Sequence, residues 1–147
     1  MRRAAVAALV VLGACATMPV SGPSAPQGGA AIPSTPLALG DYRTLNEAET
    51  LAAFQQSLSS RYGAGVAVEA AQGDLEQNEF RCSASPGTDA GRGDPPAEVC
   101  RRTITANNCT HTWQVHLFDQ HGDGHVARTR GLYDRRCGGD GLLGGPS

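Results

Sequence analysis

With 147 residues and a formal net charge of −2, the chain has room for one small domain and lacks the basic excess that nucleic-acid binding demands. All 12 of its basic residues are arginine, which excludes lysine chemistry, Schiff bases included. Aromatic residues make up only 5% of it, a thin supply for a core, so covalent help for the fold is expected.

The chain opens on Met1-Arg2-Arg3, runs apolar without a break from Ala4 to Leu12, and then reads Gly13-Ala14-Cys15. A basic start, about ten apolar residues and a small-residue cut site mark residues 1–14 as a secretory signal peptide. The run is too short to cross a hydrocarbon core of about 30 Å, which takes roughly 20 residues. The tetrad Leu12-Gly13-Ala14-Cys15 resembles the lipobox of bacterial lipoproteins, with Gly13 at a place where glycine is tolerated rather than favoured. That resemblance implies cleavage before Cys15, a diacylglycerol on its thiol and a further acyl chain on its freed amine. At least two chains are what stable anchoring needs. Ala16 stands where, in that family, an aspartate holds the protein in the inner membrane. The expectation is therefore the outer membrane, with the domain facing the periplasm. Without Arg2 and Arg3 the net charge is near −4, and no nucleic-acid partner is expected.

From Ala16 to Gly40, Pro19, Pro23, Pro26, Pro33 and Pro36 are interleaved with Gly, Ser, Ala and Gln, and no charge appears. Residues 15–40 are accordingly read as the lipidated cysteine followed by a tether, and residues 41–140 as a single small domain. The glycine-rich residues 141–147 read as a loose tail.

Thr44-Leu45-Asn46-Glu47 fits a capping box, and Leu51, Phe54, Leu58 and Tyr62 recur at helical spacing, with Gly63 as a natural stop. These predict a helix over about 45–61. Residues 66–79 are ambiguous. Val68, Ala71 and Leu75 suit a second helix that Gly73 weakens by about 1 kcal/mol, while Val66-Ala67-Val68 would suit a short strand. Helix is the favoured reading.

After Phe80 the period becomes two. Phe80 to Cys82 reads as a brief strand, residues 83–98 as a polar loop, and Val99 to Thr105 as a second strand. Thr110 to Asp119 is the clearest strand, with His111, Trp113, Val115 and Leu117 on one face and Thr112, Gln114, His116 and Phe118 on the other. Gln120 to Gly124 forms a turn, and Val126 to Arg135 returns antiparallel. The whole is an α+β domain: two helices, then a small three- to four-stranded antiparallel sheet.

Four cysteines remain after Cys15, and an even number in an exported domain reads as two disulfides. No pair has the close spacing of a zinc ribbon. Three pairings are open; the strand reading favours Cys82–Cys100 and Cys109–Cys137, each contributing on the order of 3–4 kcal/mol.

Sites of chemistry are sparse. Asp119, His121, Asp123 and His125 alternate through the turn, but the calcium-loop pattern fails at Arg130, where a bidentate glutamate is needed. His121 and His125 remain weak candidates for a transition-metal site. Arg128 and Arg130 project from one strand face, with Arg101 and Arg102 in the neighbouring element, a possible anion-binding face; the plainer reading pairs them with Asp134 and neighbours. Asp41–Glu79 holds two arginines against seven acids, and Phe80–Asp140 eight against seven, so ion pairs between helices and sheet are expected. Arg92-Gly93-Asp94 and the Asn108-Cys109-Thr110 glycosylation pattern carry little information. No nucleophile elbow, glycosidase acid pair or thioredoxin-like motif is present, and no cofactor is expected.

Two helices followed by an antiparallel meander behind a lipobox is similar to the small lipoprotein subunit of the outer-membrane β-barrel assembly machinery. The similarity lies in element order, since residues 41–140 carry none of that family's sequence motifs. The expected function is a non-enzymatic envelope lipoprotein with a structural or binding domain. Its membrane partner is reached through the lipid, and its other partner is an envelope protein. A place in barrel assembly and periplasmic metal binding are the alternatives.

Overall fold

A computed structural model describes residues 31–44, 46–85 and 94–138. The signal segment, Cys15, the first half of the expected tether, Arg92, Gly93 and the tail 141–147 lie outside the described residues. Helices α1 (Glu47–Arg61) and α2 (Val68–Gln77) precede strands β1 (Arg81–Ala84), β2 (Glu98–Ala106), β3 (Cys109–Phe118) and β4 (Arg128–Cys137). The strands form one antiparallel sheet in the order β1-β2-β3-β4, so the domain is α+β.

The first helix starts later than the capping box predicts. Asn46, not Thr44, is its cap: the Asn46 side-chain oxygen accepts the Glu49 amide at 2.8 Å. The Thr44 hydroxyl instead bonds the Asp41 carboxylate, closing a turn before the helix. Phe54, Leu58 and Tyr62 are buried at the predicted spacing. The second helix begins at Val68, and both readings of Val66–Val68 hold a part of the truth. Val66 and Ala67 run extended against the loop before β4, with the Val126 amide donating to the Val66 carbonyl at 2.7 Å and a bridge between Ala67 and His125.

Helix α1 packs mainly on β4, and α2 on β1 and β2, all against the sheet face that carries His111, Trp113, Val115 and Leu117. Gly131 makes the α1–β4 contact close: a Cβ there would stand 2.9 Å from Leu58 Cδ1 and 3.0 Å from Phe54 Cδ1. Between the helices, Arg61 grips the Asp74 carboxylate with two hydrogen bonds of 2.6 and 2.8 Å, and the Tyr62 hydroxyl donates to the same carboxylate. Burial opposes ionisation of Asp74, but these donors outweigh it and hold its pKa below the ordinary carboxylate value. Burial, followed by the hydrogen bond to Asp74, pushes the Tyr62 hydroxyl well above its usual range.

The strands differ from expectation at their ends. Strand β4 begins at Arg128 rather than Val126, because the Val126 backbone pairs with Gly65 and Val66 and its side chain is buried in the core at 1% exposure. Cys82 stands opposite Cys100 and Cys109 opposite Cys137, and both pairs are disulfide-bonded, the pairs the strand reading favours.

One expectation is corrected. The segment before Asp41 is not all tether: Leu37 is 5% exposed within the core, with Ile32, Leu39 and Tyr42 packed at its margin. The Leu37 amide donates to the Asn78 side chain at 2.7 Å, and the Trp113 indole donates to the Leu39 carbonyl at 3.2 Å. Gly40, at φ +78°, lets the chain pass where a Cβ would stand 2.8 Å from the Thr50 carbonyl oxygen. Tyr42 then lies edge-on to both His111 and Trp113.

Candidate functional site

Strand pleating sends alternate residues to opposite faces, so the register fixes what lies on the face away from the helices. Arg81 stands opposite Arg101, Arg101 opposite Gln114, and Gln114 opposite Leu132. One step along, Ser83, Val99, His116 and Arg130 form the next row, and Phe118 faces Arg128 beyond it. No described helix covers this face.

Arg81, Arg101, Arg128 and Arg130 are exposed, while Val99, Gln114, His116 and Leu132 are half-buried between them. The Arg128 guanidinium carbon lies 3.4 Å from the Phe118 ring centre, a cation–π contact that roofs the ring and leaves it 4% exposed. Asp134 shares the face, but its carboxylate is bonded by Arg136 at 3.1 Å. The plainer reading of Arg128 and Arg130, ion pairing with Asp134, is therefore not what the structure adopts. Arg81, Arg101 and Arg130 have no carboxylate partner among the described residues. His116, directly opposite Arg130, is held below the ordinary histidine pKa, first by burial and then by that guanidinium.

Charge on the other side of the sheet is mostly paired. Arg102 points there, donating to the Asn78 carbonyl at 2.9 Å and to the Glu79 carboxylate. Arg135 reaches Glu47 at 3.5 Å, and Arg61 is taken by Asp74. Arg101 and Arg102, adjacent in sequence, thus go to opposite faces, and only Arg101 joins Arg128 and Arg130.

Compared with known proteins, the chain matches no protein family, no curated protein and no solved structure.

The histidines fall into three settings. His111 is buried among Tyr42, Trp113 and Tyr133, with its Nδ1 2.7 Å from the Tyr133 hydroxyl; burial holds its pKa below the ordinary value. His116 lies on the open face. His121 and His125 line a cleft of about 430 Å³ beside Gly65 and Asp123. There the Asp119 carboxylate accepts the Asp123 and Gly124 amides at 3.2 and 2.8 Å, and the Gly124 bond leads the causes that lower its pKa. Among the described residues, no group of three or more His, Cys, Asp or Glu side chains is placed to hold a metal.

Two features were missed by sequence reasoning. Arg81 lies in the brief strand predicted at Phe80–Cys82, and pairing Cys82 with Cys100 sets it opposite Arg101, a juxtaposition the sequence reading does not single out. Glu98, half-buried at the start of β2, has one carboxylate oxygen buried without a partner, and burial followed by Glu76 raises its pKa. Nothing in the local sequence marks that site.

Proposed function

We propose that the chain is a lipoprotein of the bacterial cell envelope, acylated at Cys15 and retained at the outer membrane. Its small periplasmic domain acts by binding, without catalysis. The binding surface is the open sheet face, and its partner is anionic. One observation carries this reading: among the described residues, Arg81, Arg101 and Arg130 stand on one face without carboxylate partners, while Arg102, Arg135 and Arg61 on the opposite side are paired within the fold. Arg81 and Arg101 stand about 5 Å apart on neighbouring strands, and Arg130 lies two strands beyond Arg101 in the next row, so several forks meet carboxylate or phosphate groups at once.

The lipobox resemblance at Leu12–Cys15 fits the same reading, because an anchored domain in whose described residues no catalytic constellation converges is useful for where it stands. A place in barrel assembly rests on element order alone, which unrelated domains share, and is not developed further. Metal binding at His121 and His125 is disfavoured, since the neighbouring Asp119 carboxylate is committed to backbone amides.

The test has two arms. Full-length protein expressed in a bacterium with lipoprotein processing takes up labelled palmitate, and Cys15→Ser does not. On an immobilised polyanion, the variant Arg101→Ala/Arg130→Ala elutes at clearly lower salt than the parent. Label retained in Cys15→Ser, or unchanged elution, refutes the corresponding half of the proposal.

A further inference from the structure

The open face ends in an unfinished edge. Strand β1 pairs only with Glu98–Arg101, whereas β2 continues to Ala106. The chain upstream of Arg81 cannot extend β1, because Phe80 turns into the core at 3% exposure and Glu79 adopts φ 66°. Among the described residues, Arg102 to Ala106 therefore has no strand on that side, a free edge of about 17 Å.

The backbone groups on this edge follow from the neighbouring hairpin. Asn107 and Asn108 both have positive φ, 51° and 59°, which makes a two-residue turn of the type that matches strand twist. Such a turn closes on a hydrogen-bonded pair, here Ala106 and Cys109. Alternation along an antiparallel ladder then directs the amides and carbonyls of Arg102 and Ile104 to β3. Those of Thr103 and Thr105 point to the free edge.

Three further observations describe what fits there. A notch of about 440 Å³ lies along the edge, lined by Glu79, Arg81, Arg101, Arg102, Thr103 and Ile104. Arg81 and Arg101 are directly opposite one another, an arrangement of like charges that destabilises a sheet unless an anion lies between or beside them. The carboxylate in the notch, Glu79, is taken by Arg102.

We infer that the free edge of β2 docks an extended acidic segment of a partner protein, which adds to the sheet as a short further strand. This rests on the reading of the arginine face as the binding surface and names its partner. A residue of the added strand opposite Thr103 points to the open face, and its diagonal neighbour is Arg101, at about 7–8 Å. A carboxylate on that residue is within reach of the Arg81 and Arg101 guanidiniums, which have no carboxylate partner among the described residues. The residues on either side point inward, where half-buried Ile104 offers an apolar contact. The segment recognised thus alternates acidic and apolar side chains. Anionic lipid headgroups satisfy arginines equally well but cannot pair with the alternating donors and acceptors of Thr103 and Thr105, so the edge selects polypeptide.

The probe is a fluorescent, end-capped hexapeptide alternating glutamate and valine, with binding to the full-length protein followed by anisotropy. The parent binds it, and at least tenfold weaker binding is expected in three cases. These are Arg81→Ala/Arg101→Ala, Thr103→Pro, which removes an edge donor without touching the β3 ladder, and a peptide N-methylated at alternate amides. Unchanged tryptophan emission checks that each variant is folded. If the N-methylated peptide binds as well as its parent, edge addition is overturned. If the peptide fails to bind while phosphatidylglycerol vesicles bind through Arg81 and Arg101, the edge inference is again overturned, although the anionic-partner reading stands. If the double variant binds both probes like the parent, both readings fall.

Discussion

Gly131 sits where two buried side chains, Phe54 and Leu58, leave no room for a methyl group. Both are at most 1% exposed, so neither can yield into solvent, and an added Cβ must push α1 away from β4. Gly131→Ala is expected to cost about 1–3 kcal/mol by overpacking, read as a fall in Tm of several degrees in a domain this small. An unchanged Tm would show that α1 does not approach β4 this closely. The buried pair of Arg61 and Asp74 behaves differently, because its cost lies in being broken rather than being absent. Asp74→Asn leaves a guanidinium 7% exposed without its carboxylate, and about 3–5 kcal/mol of stability is expected to go. Replacing both partners with apolar residues, as in Arg61→Met/Asp74→Leu, should recover most of it. Denaturant melts of the single and double variants decide this; a double variant no better than Asp74→Asn would refute it. The pH dependence has a definite sign. Asp74 titrates below its unfolded value, so its contribution is present above about pH 4 and lost as pH falls through the lowered folded pKa.

The elements divide into those whose burial pattern is local and those whose partners are far away in sequence. His111, Trp113, Val115 and Leu117 alternate in the sequence because one face of β3 is buried along its length, and that alternation, with the turn at Gly122, places the strand and the Cys109–Cys137 disulfide. The helical face of Phe54, Leu58 and Tyr62 is legible for the same reason. Asn46 displaced Thr44 as the cap because either side chain can serve and only the incoming backbone decides. Val126 left its strand because its backbone pairs with Gly65 and Val66 in the loop joining the helices, a partner the β4 sequence does not reveal. Arg128 and Arg130 could be placed on one face from their spacing, but that neither pairs with Asp134 depended on where Asp134 turned, toward Arg136. The segment before Asp41 was hidden most completely. Its Pro, Gly and Ser content imitates a linker, while its contacts reach 41 residues ahead to Asn78 and 74 ahead to Trp113. Cutting the chain at Asp41 should therefore do more than shorten it. Burial of Leu37 contributes about 1.5–3 kcal/mol, and the Trp113 indole loses the acceptor that satisfies it, a further 1–3 kcal/mol. A chain beginning at Asp41 is expected to unfold in urea about 3 kcal/mol or more below one beginning at Ala31. Coincident curves would return the segment to tether.

Taken as a whole, the molecule separates its charges across the sheet and so responds to pH on two sides. Among the described residues, the helical side carries most of the acids, the open face most of the arginines without a carboxylate partner, and each side holds a histidine with a lowered pKa. His111 is lowered by burial, then by Arg135 and Arg43, against the backbone bond to Ala106; His116 is lowered by burial and then by Arg130. Between each lowered value and the ordinary histidine pKa near 6.5, the unfolded chain takes up a proton that the native one refuses. Stability from these two groups is therefore complete above about pH 6.5 and lost as pH falls through that value toward the lowered ones. Glu98 works in the opposite sense. Its raised pKa means the native state holds a proton that the unfolded chain releases above about pH 4.5, so its burial becomes less costly as pH falls. The net expectation is a falling Tm between pH 7 and pH 5.5, where the histidines dominate, followed by partial relief from Glu98 at lower pH. Thermal melts of three variants separate the terms. His111→Gln and His116→Gln should each flatten the fall between pH 7 and pH 5.5, and Glu98→Gln should abolish the relief without altering the fall. The choice of glutamine keeps a hydrogen-bonding group in every case, so a flattened profile reports the lost titration rather than a lost contact. If both histidine variants retain the parent's slope, protonation at His111 and His116 does not couple to folding, and the guanidiniums of the open face are better screened by solvent than their lack of partners implies.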